Sequence, residues 1–103
     1  MRVFVYFVQD GLDGPIKIGV ARTIRGRLAA LQSGNPRPLT LLAYQAVELM
    51  GTNRGGGGRS VGARYFESDW HERFAHLRIR GEWFCPGTDL LKAIADLGAG
   101  GKP

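Results

Sequence analysis

The sequence predicts an α+β domain, a small three-stranded antiparallel sheet flanked by about three helices. Three observations carry this. Residues 2–9 and 16–20 are short runs rich in β-branched and aromatic side chains, joined by Asp10-Gly11-Leu12-Asp13-Gly14-Pro15, residue types that turn a strand back on itself. Residues 39–47 form a third run of the same kind. The segments between and after these runs carry apolar residues at helical spacing, closed by Gly or Pro.

In the first run Val3, Val5 and Phe7 share one face and Phe4, Tyr6 and Val8 the other, so the strand should be covered on both sides. Ile16, Ile18 and Val20, alternating with Lys17 and Gly19, make its hairpin partner, which brings Tyr6 and Lys17 together. Gly19 leaves room for close approach of a backbone or a ligand. Thr23 can cap a helix to about Ser33, with Ile24, Leu28 and Leu31 facing the core and Gly34-Asn35-Pro36 ending it. Arg27 falls in that same stripe, where a guanidinium needs a partner or a ligand.

In the third strand Leu39, Leu41, Ala43 and Val47 are expected on one face, with Leu42, Tyr44 and Ala46 on the other. A Gly-rich loop at about 51–62 carries Arg54 and Arg59 but lacks the spacing and terminal Lys of a P-loop, which excludes that kind of ATP site. Ser60 can cap a helix from about Val61 to Leu77, with Phe66, Trp70, Phe74 and Leu77 inward and Glu67, His71 and Arg78 on one flank. A tight turn and a short extended piece follow at Arg80-Gly81-Glu82-Trp83-Phe84, with Trp83 and Phe84 closing the core. Thr88 can cap a last helix, with Leu90, Leu91, Ile94 and Leu97 inward and Gly98 as its stop.

The 103 residues fit one domain, set at 1–98 with a flexible tail at 99–103. No apolar run reaches the ~18 residues of a membrane span, Met1-Arg2 leads straight into a strand, and Cys85 is the sole cysteine. These features predict a cytoplasmic protein with a reduced thiol and no membrane partner. The formal charge is +5, and all basic residues but Lys17, Lys92 and Lys102 are arginines. Arg presents a planar bidentate fork to phosphate, so the balance points to nucleic acid.

Phe4-Val5-Tyr6, residues 7–16, Lys17-Ile18-Gly19 and then Arg27-Leu28 resemble the GIY-YIG nuclease superfamily. The chain is most similar to the branch with a Lys-Ile-Gly second motif, a Glu-x-x-x-His-x-x-Phe helix and a Gly-Glu-Trp-Phe segment. Here these stand as Glu67, His71, Phe74 and Gly81-Glu82-Trp83-Phe84, and Leu31-Gln32-Ser33-Gly34-Asn35-Pro36 fits the same branch. The resemblance covers roughly residues 3–95. It implies metal-dependent hydrolysis of a DNA phosphodiester. Tyr6 is then the general base or activator of the attacking water, Arg27 the phosphate binder, and Glu67 the carboxylate for one Mg²⁺ or Mn²⁺. Lys17 stands where the second motif usually has Tyr, and no Asn clearly matches a late Asn of many relatives.

The residue types suit that chemistry. Charge concentrates on the phosphate oxygens during hydrolysis, and Arg27, Lys17 and a divalent ion would offset it. A free phenol ionises near pH 10, so a phenolic base needs cationic neighbours. His71 is the alternative base, since imidazole titrates nearer neutrality. Further substrate contacts are expected from Gly19, Arg22, Arg54, Arg59, Arg64 and Arg78. The competing function is a nucleic-acid-binding module, weak or inactive in catalysis, on the same scaffold. A zinc domain built on His71, His76 and Cys85 matches no zinc spacing. One site cuts one strand, so either a monomer or a homodimer is compatible with the sequence.

Overall fold

The computed structural model describes residues 2–48 and 61–100, and the side chains of 2–47 and 67–98 within them. Strands β1 (Arg2–Asp10) and β2 (Ile16–Ala21) form the expected hairpin, with Tyr6 opposite Gly19 and Val8 opposite Lys17. The turn closes through Asp10 N–H to Pro15 O (2.9 Å) and Gly14 N–H to Asp10 O (3.1 Å), and Gly11 takes the left-handed φ of 72°. Helix α1 (Ile24–Ser33) follows, then β3 (Leu39–Glu48), α2 (Val61–Arg73), a 3-10 turn (Ala75–Leu77), β4 (Arg78–Arg80), β5 (Trp83–Phe84) and α3 (Thr88–Gly100).

Among the described residues the sheet has five strands in the order β3-β1-β2-β5-β4, every pair antiparallel, where the sequence predicted three. The two added strands are three and two residues long. Such pieces carry too few residues to display an alternation; β5 exists through pairing with β2, and β4 through pairing with β5. Gly81, with φ 55°, makes the turn between them.

The alternation of β1 divides the protein into two cores. Val3, Val5 and Phe7 join Ile16, Ile18, Phe84, Trp70 and Phe74 of α2, and Leu90 and Ile94 of α3 in the main core. Tyr6 and Val8 face the other way, with Ala21, under Ile24, Leu28 and Leu31 of α1. The expected single face of β3 is corrected. A bulge opposite Phe7 and Val8 shifts the register, so Leu39 and Leu41 pack under α1 while Ala43 and Val47 enter the main core. One extra residue in a strand reverses the sidedness of everything beyond it.

The Leu31–Pro36 run fastens α1 to the hairpin. Gln32 Nε2 donates to Arg37 O (2.9 Å) while its Oε1 accepts from Leu39 N–H (2.9 Å). Asn35 Nδ2 and Arg37 Nη2 both donate to the Asp10 carboxylate, at 2.9 and 2.8 Å. The Arg37 and Asn35 hydrogen bonds hold Asp10 below the ordinary carboxylate range.

Several helix ends differ from expectation. Thr23 occupies the N-cap of α1 but its side chain makes no capping bond. The helix from Val61 ends at Arg73, and Phe74 leads into the 3-10 turn. Leu91 N–H donates to Gly87 O, so Gly87 rather than Thr88 precedes the first turn of α3. Gly98 keeps a negative φ and the helix runs on to Gly100. Leu91, expected inward, is 37 % exposed, while Leu90 is fully buried. Phe84 closes the main core as expected, whereas Trp83 is half-buried beneath the Lys17 ammonium, 5.5 Å from its ring centre. The expected Ser60 cap lies outside the described residues.

Candidate active site

The outer edge of β2 is only half paired. β5 covers it at Ile16 and Lys17 and then ends. At Ile18 the backbone N–H still finds Glu82 O (2.9 Å), but the edge beyond meets no strand among the described residues. Side chains take over its carbonyls. His71 Nε2 lies 3.1 Å from Ile18 O, and Arg27 Nη1 donates to Val20 O at 3.2 Å. A carbonyl oxygen can only accept, so His71 carries its proton on Nε2 and is held as a donor there.

This open edge gathers groups from both faces of the sheet. From the α1 face, Tyr6 is fully buried and its hydroxyl accepts from Arg27 Nη1 at 3.4 Å. Both Arg27 bonds come from Nη1, so Nη2 and Nε make no hydrogen bond to the described residues. Arg27 is exposed at the end of this short cluster, which answers the expectation that it needs a partner: the partners are the Tyr6 hydroxyl and a strand carbonyl. From the α2 face come His71, whose ring packs 5.1 Å from that of Phe84, and Glu67, half-buried one turn before it.

Glu82 joins the two groups, and sequence reading left it out of the site. Its Oε1 lies 3.0 Å from Lys17 Nζ, with the two side chains 37 % and 16 % exposed. Burial pushes its carboxyl upward, but hydrogen bonds from Lys17 and Glu67 and the charges of Lys17 and His71 outweigh this and hold it below the ordinary range. The available signal was the Gly81-Glu82-Trp83-Phe84 run. A Gly with positive φ fixes the turn, and β5 pairing then aims the Glu side chain across the end of β2.

Gly19 sits at the centre. A Cβ there would lie 2.5 Å from Tyr6 Oη, 2.6 Å from Tyr6 Cζ and 3.0 Å from Glu82 Oε1. The space it leaves is therefore filled by the Tyr6 phenol and Glu82, not by a ligand. Tyr6 and Lys17 come near each other as diagonal neighbours, since Tyr6 faces Gly19 directly.

The remaining candidates scatter. Arg22 is exposed just past the end of β2 and makes no hydrogen bond or ion pair among the described residues. Arg78 lies on edge strand β4, in the row of Phe84 and Ile16, with Nε committed to Gly81 O at 2.8 Å. That row is three residues from Gly19, so Arg78 is not part of the Tyr6–Arg27 cluster. Arg54 and Arg59 lie outside the described residues, as does the side chain of Arg64. His76 pairs with Asp89 at 2.8 Å on the far side of the 3-10 turn.

A family model described as T5orf172 domain matches residues 3–97. The chain belongs to the T5orf172 domain family. Comparison with the curated proteins and with the solved structures returned no match. The match spans all five strands and all but the end of α3, so the half-paired edge of β2 lies within the T5orf172 domain itself. Among the described residues no helix is long and apolar enough to cross a membrane.

Proposed function

We propose that this T5orf172 domain is a metal-dependent endonuclease of GIY-YIG type that hydrolyses DNA phosphodiester bonds. The observation that carries the reading is the Arg27 guanidinium held over the Tyr6 hydroxyl at the open edge of β2, with Lys17 and a carboxyl pair beside it. Nη2 and Nε of Arg27 offer a fork for two phosphate oxygens. Arg27 donates to Tyr6 Oη, which leaves the phenolic proton to orient a water or a phosphate oxygen. His71, bonded to Ile18 O, anchors α2 against β2 and so positions Glu67 one turn away.

A divalent ion fits the carboxyl pair. Mg²⁺ binds through one or two carboxylates, completing its shell with water and substrate phosphate, and Mn²⁺ favours the same oxygen ligands. Glu67 and Glu82, both half-buried at this edge, supply two such groups. Among the described residues no set of three or more His, Cys, Asp or Glu side chains comes together, so these two carboxylates would hold the ion without a third protein ligand of those types. When bound, the ion supplies Lewis-acid stabilisation of phosphate charge.

The test is single-turnover nicking of supercoiled plasmid by wild type, Tyr6→Phe and Arg27→Ala. Both variants should lose nicking while keeping their thermal midpoints, because Arg27 is exposed and, among the described residues, the Tyr6 hydroxyl makes one hydrogen bond, of 3.4 Å. Undiminished nicking in Arg27→Ala would remove the phosphate role. DNA binding without any metal-dependent product would favour the binding-module alternative.

A further inference from the structure

Helix α1 covers the Tyr6 face of the sheet only in part, and none of its residues is buried. Beside it lies an open recess of about 420 Å³ lined by Phe4, Ile24, Arg25, Leu28 and Tyr44. Phe4 and Tyr44 meet edge to face, with ring centres 5.7 Å apart and planes at 84°. Tyr44, midway along edge strand β3, is 55 % exposed, so its ring is open to solvent on the recess side. Arg25 lines the same apolar space and makes no ion pair or hydrogen bond among the described residues.

The recess adjoins the candidate site. Tyr44 is the cross-strand partner of Tyr6. Phe4 precedes Tyr6 by two residues on the same face, roughly 7 Å away at ~3.3 Å of rise per residue. Arg25 and Arg27 sit on the same helix, one at the recess and one at the Tyr6 hydroxyl. Aromatic faces with a planar cation are what a nucleobase stacks on, and a guanidinium next door is what its phosphate needs. An apolar side chain or a lipid tail would find no use for the Arg25 guanidinium on the rim.

We infer that this recess takes one unstacked nucleobase of the strand whose phosphate lies at Arg27. The inference deepens the nuclease reading and rests on its nucleic-acid half. It names a substrate feature, since a base must leave its stack to enter. Duplex DNA would bind through a flipped, frayed or mispaired nucleotide, and single-stranded DNA directly.

The experiment is fluorescence anisotropy with a short labelled single-stranded oligonucleotide in EDTA, so that no cleavage occurs. Wild type is compared with Tyr44→Ala, Tyr44→Phe and Arg27→Ala, and the oligonucleotide with a series carrying one abasic site at each position. Tyr44→Ala should weaken binding by about 5- to 150-fold, the range expected for loss of one stacked base. Tyr44→Phe should stay within about twofold, because the stacking face survives. One abasic position should abolish the difference between wild type and Tyr44→Ala. If Arg27→Ala weakens binding and Tyr44→Ala does not, the recess takes no base and the phosphate reading stands. If Tyr44→Ala weakens every abasic oligonucleotide equally, the loss is not base stacking and the inference fails. If the wild type shows no salt-sensitive binding, the nucleic-acid reading itself is overturned, and the inference with it.

Discussion

A single methyl group at Gly19 should damage both the fold and the site. Gly19 is buried in β2, and its added Cβ would lie 2.5 Å from Tyr6 Oη and 2.6 Å from Tyr6 Cζ, far inside van der Waals contact. Tyr6 is 1 % exposed and cannot swing aside without leaving the core beneath α1. Glu82 Oε1, 3.0 Å from the same point, is tied to Lys17. Overpacking a well-filled interior costs typically about 1–3 kcal/mol. In a domain of this size each kcal/mol moves the thermal midpoint by roughly 4–8 °C, so Gly19→Ala should melt about 4–24 °C lower. The assay is calorimetric or circular-dichroism melting beside Gly34→Ala, where nothing lies within 4 Å of the new atom. That control should stay within about 0.5 kcal/mol of wild type. Adding Tyr6→Phe to Gly19→Ala should recover only part of the loss, since the 2.6 Å contact to Cζ remains. A Gly19→Ala protein melting with the wild type would refute the argument that Tyr6 and Glu82 are locked over this glycine.

Phe84 is fully buried against Ile16 in the main core, so Phe84→Ala should cost about 3–5 kcal/mol, read from the urea midpoint. Exposed Leu12, 94 % accessible at the hairpin turn, should tolerate Ala within about 0.5 kcal/mol. Glu82→Gln keeps the shape and a hydrogen bond for Glu67 but removes the charge facing Lys17. The folded-state carboxyl of Glu82 lies below its ordinary 4.5, so its stabilisation is full above that value and fades as pH falls through the folded value. Glu82→Gln should therefore lower the urea midpoint at neutral pH, and the gap to wild type should close in acid. A gap that widens in acid would reverse the assigned sign.

Much of the arrangement was legible in the sequence, because the Tyr6 hairpin announces itself by composition and by its Asp-Gly turn. Arg27 was singled out by standing in an apolar stripe, and it does bond across to Tyr6. The β3 bulge was not legible, since nothing in Leu39–Val47 marks which residue is extra; only pairing with β1 decides it. Arg78-Ile79-Arg80 shows no apolar alternation and becomes a strand only because Trp83 and Phe84 are already docked on β2. Glu82 stayed hidden for the same reason. Its neighbours Lys17 and Glu67 lie 65 and 15 residues away in the chain, and a carboxylate before an aromatic pair reads as solvent-facing until β5 turns it across the edge of β2. Gly19 was read as leaving room for a backbone or a ligand, and the group that takes this room is the Tyr6 phenol.

The central claim is that this edge cleaves DNA with a divalent ion held at Glu67. Its most direct test is nicking of supercoiled plasmid in Mg²⁺, Mn²⁺ or EDTA by wild type and Glu67→Ala, with equal melting midpoints confirming that both are folded. The account predicts nicking in either metal, none in EDTA and none by Glu67→Ala. Nicking that persists in EDTA, or that survives undiminished in Glu67→Ala, would contradict it.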